Sequence, residues 1–270
     1  MKYSELSLKP EIQRALKEMG YDDLTPIQEK AIPEILEGRD LIGLAETGSG
    51  KTGACAVPLV EMVDPKIREI QALILVPTRE LAQQYVSEIA DVARFSEVAP
   101  FAMFGGFDMD IQRAKLKDGV HILVATPGRL IDYIWNNPMP LDNMRTVVLD
   151  EADEMMKMGF VENVDFIFSC IMQEVQTLLF SATMPKAVAR LATTYQKDPV
   201  QLKLNKDQIA PQSLTHCFQV VGHGKQEEQF HEYLRANEVG QGLVFCNSRS
   251  RTSQLFRQLR ATLPSVEIIH

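Results

Sequence analysis

Two hydrophobic periods divide this chain. Between Glu11 and Met19 apolar residues fall at Ile12, Ala15, Leu16 and Met19, the spacing of one helix face, and Gly20 supplies a stop. Pro26 opens a second predicted helix that runs to Leu36 and is closed by Gly38. From Asp40 the pattern changes to short apolar runs separated by longer amphipathic ones. The runs Asp40–Ala45, Ala72–Pro77, Ala99–Phe104, His121–Ala125, Thr146–Asp150, Thr177–Ser181 and Val200–Leu204 read as strands. Helices are expected between most of them, for example Arg79–Phe95 and Met155–Ile171. Continuous apolar strands alternating with helices predict a parallel sheet covered on both faces. The chain turns polar around Asn205, Lys206, Asp207 and Gln208, with Pro211 beyond, as a linker would. The alternation then resumes: strands at Leu214–Val221, Gly242–Cys246 and Val266–His270, helices at Gln226–Ala236 and Arg251–Ala261. The expected layout is a helical region over 1–38, an α/β lobe over 39–204, a linker over 205–213 and a shorter α/β segment over 214–270.

Composition narrows the class. A hydrophobic content of 45% with 24% charged residues, over 270 residues, is that of an ordinary globular protein. No apolar run reaches membrane-spanning length and no signal region follows Met1, so a cytoplasmic protein with no membrane partner is expected, the nucleus remaining open in a eukaryote. Cys55, Cys170, Cys217 and Cys246 are too far apart for metal or redox pairing. The formal charge of −8 argues against gripping nucleic acid by bulk electrostatics, so any such surface must be local, built from backbone amides and a few arginines.

Chemistry concentrates where strands end. Leu44-Ala45-Glu46-Thr47-Gly48-Ser49-Gly50-Lys51-Thr52 lies between a strand and a segment of helical character beginning at Gly53, the context of a phosphate-binding loop. Gly48 and Gly50 let the backbone turn its amides inward, and the helix adds its unpaired N–H groups. Lys51 would then reach the β- and γ-phosphates and Thr52 would ligate Mg²⁺, although Ala45 stands where the general pattern has Gly. Asp150 and Glu151 close another strand: Asp150 suits Mg²⁺, and Glu151 suits positioning and deprotonating a water, while a solvated acidic turn capping the next helix is the plainer reading. Ser181-Ala182-Thr183 offers hydroxyls to Asp153, or else caps the helix after Pro185. Pro77-Thr78-Arg79, Gly105-Gly106 and Thr126-Pro127-Gly128-Arg129 each offer hydroxyls, glycines, helix N-termini or an arginine suited to a backbone phosphate; singly, each is also a plain strand-to-helix turn.

Taken together these stretches resemble the DEAD-box RNA helicases. Ala45–Thr52 is similar to motif I, Pro77–Ala82 to Ia, Gly105-Gly106 to the GG element and Thr126–Arg129 to Ib. Asp150–Asp153 spells Asp-Glu-Ala-Asp, Ser181–Thr183 matches motif III and Leu243–Ser248 resembles motif IV. Gly20-Tyr21 followed by Thr25-Pro26-Ile27-Gln28 resembles the Q motif, with Tyr3 in place of the usual Phe and Leu24 in place of the usual Pro. The resemblance implies two RecA-like lobes, the first a P-loop parallel sheet with helices on both faces and the second only begun. It also implies ATP with Mg²⁺, adenine read by Gln28 and stacked by Tyr21, and RNA held by its sugar–phosphate backbone without sequence preference. Asp153, Ser181 and Thr183 would relay the nucleotide state. The family's later motifs, with the arginine that reaches the γ-phosphate, do not occur before His270, and Arg249, Arg251, Arg257 and Arg260 lie in none. An ATP-dependent RNA helicase is therefore expected, with little RNA-stimulated hydrolysis and no unwinding from these 270 residues alone. Two alternatives are a module that binds ATP or ADP and, weakly, RNA, and a P-loop kinase for a small molecule. The latter leaves Gln28 and the Pro-Thr-Arg, Thr-Pro-Gly-Arg and Ser-Ala-Thr elements unexplained.

Overall fold

The structure is a computed structural model that describes residues 1–204, 215, 217–222, 224–237, 239–263 and 265–269. The described residues gather into two compact units, Met1–Gln208 and Ile209–His270. The expected linker over 205–213 lies outside the described residues.

The first unit begins with a short 3-10 turn and two helices, α1 (Pro10–Glu18) and α2 (Pro26–Leu36), each opening on a proline whose missing N–H costs nothing at that position. Seven parallel strands follow: β1 (Leu41–Leu44), β2 (Ala72–Leu75), β3 (Pro100–Met103), β4 (Ile122–Ala125), β5 (Thr146–Leu149), β6 (Gln176–Ser181) and β7 (Val200–Lys203). Helices α3 (Lys51–Met62), α4 (Arg79–Val92), α5 (Met109–Asp118), α6 (Pro127–Asn136), α7 (Ala152–Lys157), α8 (Val161–Ser169) and α9 (Lys186–Tyr195) connect them. The sheet order is β3-β4-β2-β5-β6-β1-β7.

Side-chain alternation sorts each strand between two cores. Ala72, Ile74, Ile122, Val124 and Val148 join the core shared with α1 to α4, whereas Leu73, Leu75, Leu123, Val147 and Leu149 join the one beneath α6 to α9. Both faces are thus buried, which explains why the strands are apolar throughout rather than alternating. Asp40 fastens the start of β1: one carboxylate oxygen accepts from the Thr177 amide at 2.7 Å and the other from the Lys197 amide at 2.6 Å. The fold class expected from the pattern is the one the structure has.

Four expectations need correction. The helix expected over Met155–Ile171 is two, α7 and α8, because Gly159 adopts φ 80° and ends the first. The helix after the glycine-rich loop begins at Lys51 rather than Gly53. In the second unit, α10 (Gln226–Ala236) and α11 (Arg249–Arg260) form, the latter two residues before its expected start because Ser248 caps it by accepting from the Arg251 amide. The three strands expected there do not form among the described residues. Leu243, Phe245, Phe218 and Ile269 are each more than four-fifths exposed, and an extended segment without a ladder partner has nothing to stabilise it as a strand. Among the described residues no helix is long and apolar enough to cross a membrane.

Candidate functional site

The carboxyl ends of the strands divide into two neighbourhoods. Those of β1, β5 and β6 carry the glycine-rich loop, Asp150-Glu151 and Ser181-Ala182-Thr183; those of β2, β4 and β3 carry Thr78-Arg79, Thr126–Arg129 and Gly105-Gly106. The strand order alone makes this division, since β2 and β5 are the pair at the seam.

In the first neighbourhood the turn into α3 is hinged on Gly48 and Gly50, at φ 78° and 98°. Gly50 occupies the N-cap position of α3 and no side chain caps that end, so the first-turn amides and the positive end of the helix dipole are left for an acceptor from outside the helix. The loop is braced internally by Ser49, whose hydroxyl donates to the Glu46 carbonyl at 2.8 Å. Lys51 is buried, and its Nζ donates to the Ala45 carbonyl at 2.8 Å, folding the ammonium back over the loop. Thr52 follows at the second helical position. Glycine-hinged amides, a buried ammonium and a hydroxyl fit a polyphosphate. The Thr52 hydroxyl and the Asp150 carboxylate supply hard oxygens of the kind Mg²⁺ takes alongside phosphate and water. Among the described residues no three His, Cys, Asp or Glu side chains cluster as a metal site.

Asp150 is buried beside Lys51. Its Oδ1 accepts from the Glu151 amide at 2.8 Å and its Oδ2 from the Tyr85 hydroxyl at 2.6 Å. Burial raises its carboxyl above the usual range, against the pull of Lys51 and these hydrogen bonds. Glu151 adopts φ 51°, uncommon for a residue with a side chain, and no side chain caps α7 at that position. Burial and then the neighbouring Asp150 raise its carboxyl too, moving it towards the range useful to a base at neutral pH.

Asp153 is tied to the end of β6. The Thr183 hydroxyl donates to its Oδ2 at 2.7 Å and the Thr183 amide at 3.1 Å, while its own amide donates to Ser181 Oγ at 3.3 Å. Burial would raise the Asp153 carboxyl, but the Thr183 and Ser181 contacts and the Ala182 backbone outweigh it and hold the group below its usual range. The plainer reading of Ser181 as a helix cap does not apply, since the N-cap of α9 is Pro185.

The N-terminal residues meet the loop directly. Gln28 is buried, its Oε1 accepting from the Thr25 amide at 2.8 Å and its Nε2 donating to the Gly50 carbonyl at 3.1 Å. One N–H and one lone pair of the amide remain for another partner. The Thr25 hydroxyl is buried without a hydrogen-bond partner. A Cβ on Gly50 would lie 2.6 Å from that hydroxyl and 2.8 Å from Gln28 Nε2, so this glycine is required by contact as well as by φ. Tyr21 donates to Glu88 Oε1 at 2.5 Å and its ring lies 5.7 Å from that of Tyr3, in a tilted pair.

In the second neighbourhood, Arg129 reaches across to the segment after Gly105-Gly106. Its Nε donates to Gln112 Oε1 at 3.2 Å and its Nη2 to the Phe107 carbonyl at 2.7 Å; buried Gln112 in turn donates to the Phe104 carbonyl at 3.3 Å. Side chains added at Gly105, Gly106 or Gly128 would meet open space, so a ligand's backbone can approach all three. Thr126 precedes Pro127 at the start of α6 without capping it. After Pro77, Thr78 does cap α4, accepting from the Leu81 amide at 3.2 Å, and Arg79 pairs with its neighbour Glu80. The motif-like Leu243–Ser248 lies in the second unit, before α11.

Reading from sequence missed Tyr85, Glu88 and Gln112, whose side chains approach the site from α4 and α5. Their spacing marks them as ordinary helix positions, and only the packing of those helices gives them polar partners.

An all-parallel sheet with a glycine-hinged strand-to-helix turn at its carboxyl edge is the architecture of the doubly wound α/β class. The chain belongs within it to the DEAD/DEAH box helicase family, whose sequence profile matches residues 25–191. It is 37% identical over 268 residues to the DEAD-box ATP-dependent RNA helicase CshA of Geobacillus kaustophilus, covering 99% of this chain and 57% of that protein. It is 36% identical over 258 residues to the ATP-dependent RNA helicase DeaD of Escherichia coli, covering 95% of this chain and 41% of the relative. The chain thus spans about half the length of the curated relatives it matches. Among solved structures, a DEAD box protein from the hyperthermophile Methanococcus jannaschii is similar with a TM-score of 0.73 at 35% identity, over 97% of this chain and 70% of that one.

Proposed function

We propose that this chain carries the ATP-binding and part of the RNA-binding machinery of an ATP-dependent RNA helicase acting in the cytoplasm. The supporting observation is the convergence, at the carboxyl ends of β1, β5 and β6, of the uncapped α3 N-terminus, Lys51, Asp150, Glu151 and the Asp153–Thr183 contact. The relatives named as ATP-dependent RNA helicases support the same reading.

In this reading the backbone amides of Ala45, Glu46, Thr47, Gly48, Ser49, Gly50, Lys51 and Thr52 cradle the phosphates, and Lys51 leaves the Ala45 carbonyl to bind the β- and γ-phosphates. Gln28, with Thr25 beside it, reads the adenine edge, and Tyr21 stacks on the base. Thr52 and Asp150 would hold Mg²⁺, which would supply positive charge beside the phosphates. Glu151 orients the attacking water and accepts its proton. Asp153, Ser181 and Thr183 couple the nucleotide to the protein's conformation through the contacts already in place. Pro77, Thr78, Arg79, Gly105, Gly106, Thr126, Pro127, Gly128 and Arg129 receive the sugar–phosphate backbone of RNA, sequence-nonspecifically because they present amides, hydroxyls and guanidinium groups rather than base-reading pairs.

The test is a pair of substitutions. Lys51→Ala is expected to weaken ADP binding, whereas Glu151→Gln keeps binding and lowers RNA-stimulated ATP hydrolysis by about 10²-fold or more in the full-length protein. Hydrolysis by Glu151→Gln at the parent rate would remove Glu151 from its role. Unchanged ADP affinity in Lys51→Ala would remove the phosphate site.

A further inference from the structure

The Asp150 carboxylate has one partner outside every motif named above. Tyr85, in the second turn of α4, is fully buried, and its hydroxyl donates to Asp150 Oδ2 at 2.6 Å. The buried thiol of Cys55, one turn beyond Lys51 on the same face of α3, is a neighbour of the same hydroxyl. The Tyr85 hydroxyl therefore joins α4 to the end of β5. We propose that Tyr85 is a positioning residue for the Asp150 carboxylate and sets how strongly Mg²⁺ is held with a bound nucleotide. The inference rests on Asp150 as a Mg²⁺-holding group, as proposed above.

The geometry favours positioning over packing. The Glu151 amide holds Oδ1 and the Tyr85 hydroxyl holds Oδ2, so the carboxylate is fixed at both oxygens and cannot rotate. An ionised carboxylate has about four lone-pair sites, so two donors leave others directed at the loop. Phenylalanine would fill the same volume between α3 and β5 but leave Oδ2 without its donor. Hydrogen-bonded partners that orient a metal-binding carboxylate are typically worth about 10–100-fold in metal affinity.

The experiment is calorimetric titration of ADP into the 270-residue chain, in EDTA and in millimolar Mg²⁺, for the parent, Tyr85→Phe and Asp150→Asn. The expected result is that Tyr85→Phe binds ADP like the parent in EDTA but loses about tenfold or more of the Mg²⁺-dependent gain in affinity. If Tyr85→Phe retains the full gain while Asp150→Asn loses it, the positioning role is overturned and the site reading stands, whatever happens to the melting temperature. If Asp150→Asn also retains it, the Mg²⁺ assignment fails and the inference fails with it. Should Tyr85→Phe not fold, Tyr85→Met, which also lacks the donor, takes its place with the same expected loss; a full Mg²⁺-dependent gain there overturns the proposal.

Discussion

Replacing Gly50 by alanine isolates how tightly the N-terminal helices clamp the glycine-rich loop. Two penalties apply to Gly50→Ala. At φ 98° an L side chain is strained, by about 1–2 kcal/mol. The new methyl would sit 2.6 Å from Thr25 Oγ1 and 2.8 Å from Gln28 Nε2, both held in place by burial and by the Gln28 contacts, and overpacking of this kind costs about 1–3 kcal/mol. The sum, about 2–5 kcal/mol, corresponds to a fall in melting temperature of about 4–20 °C for a unit of this size. Gly48→Ala provides the internal control: φ is 78°, but nothing lies within 4 Å of the added methyl, so only the strain applies. Differential scanning calorimetry of both variants, with ADP titrated into each, makes the comparison. Gly50→Ala should be the less stable by about 1–3 kcal/mol and should bind ADP more weakly, because relief of the clash moves Gln28 and Thr25. Equal melting temperatures for the two variants would refute the clamp.

Three further outcomes are expected. Gln28→Ala should reduce the preference for ADP over GDP by about 1–3 kcal/mol in calorimetric titrations, and a parent protein that binds both equally would exclude adenine reading by this residue. Asp40→Ala should cost about 1–3 kcal/mol in urea denaturation because the buried Thr177 amide and the part-buried Lys197 amide lose a charged acceptor; a cost under about 0.5 kcal/mol would mean water replaces it. Tyr195, through burial and then its 2.6 Å hydrogen bond to Asp165, has its phenol pushed up to about 12. A raised folded-state pKa gives stability that is full below the unfolded value near 10 and is lost as pH rises towards 12, so Tyr195→Phe should flatten stability between pH 10 and 12, and identical pH slopes would remove the assignment.

All seven strands of the first unit were legible in the sequence because a parallel sheet buried on both faces writes each strand as a continuous apolar run. The glycine-rich loop and Asp150–Asp153 were legible because their chemistry depends on residues adjacent in the chain. The break at Gly159 was not, since the apolar spacing of Met155–Ile171 continues through it and only the positive φ ends the helix. Nor was the fate of Gly242–Cys246: its composition suits a strand, but a strand exists only when another accepts its hydrogen bonds. The same limit hid Tyr85 and Gln112. Each looks like core or solvent-facing helix until α4 or α5 brings its polar atom against Asp150 or Arg129.

The pairing of β1 fixes an order of assembly as the chain leaves the ribosome. Strand β2 finds β4 and β5 early, through Ala72 opposite Ile122 and Thr146. Strand β1 comes first in sequence yet has no neighbour until much later, because Leu41 lies opposite Leu178 on one side and Val200 on the other. Contacts so distant along the chain form slowly, and until they form an apolar strand has both edges open. The strand that leads into the glycine-rich turn therefore has both its neighbours only when synthesis has passed Lys203. A nascent chain can begin its hydrophobic core well before it can hold a nucleotide.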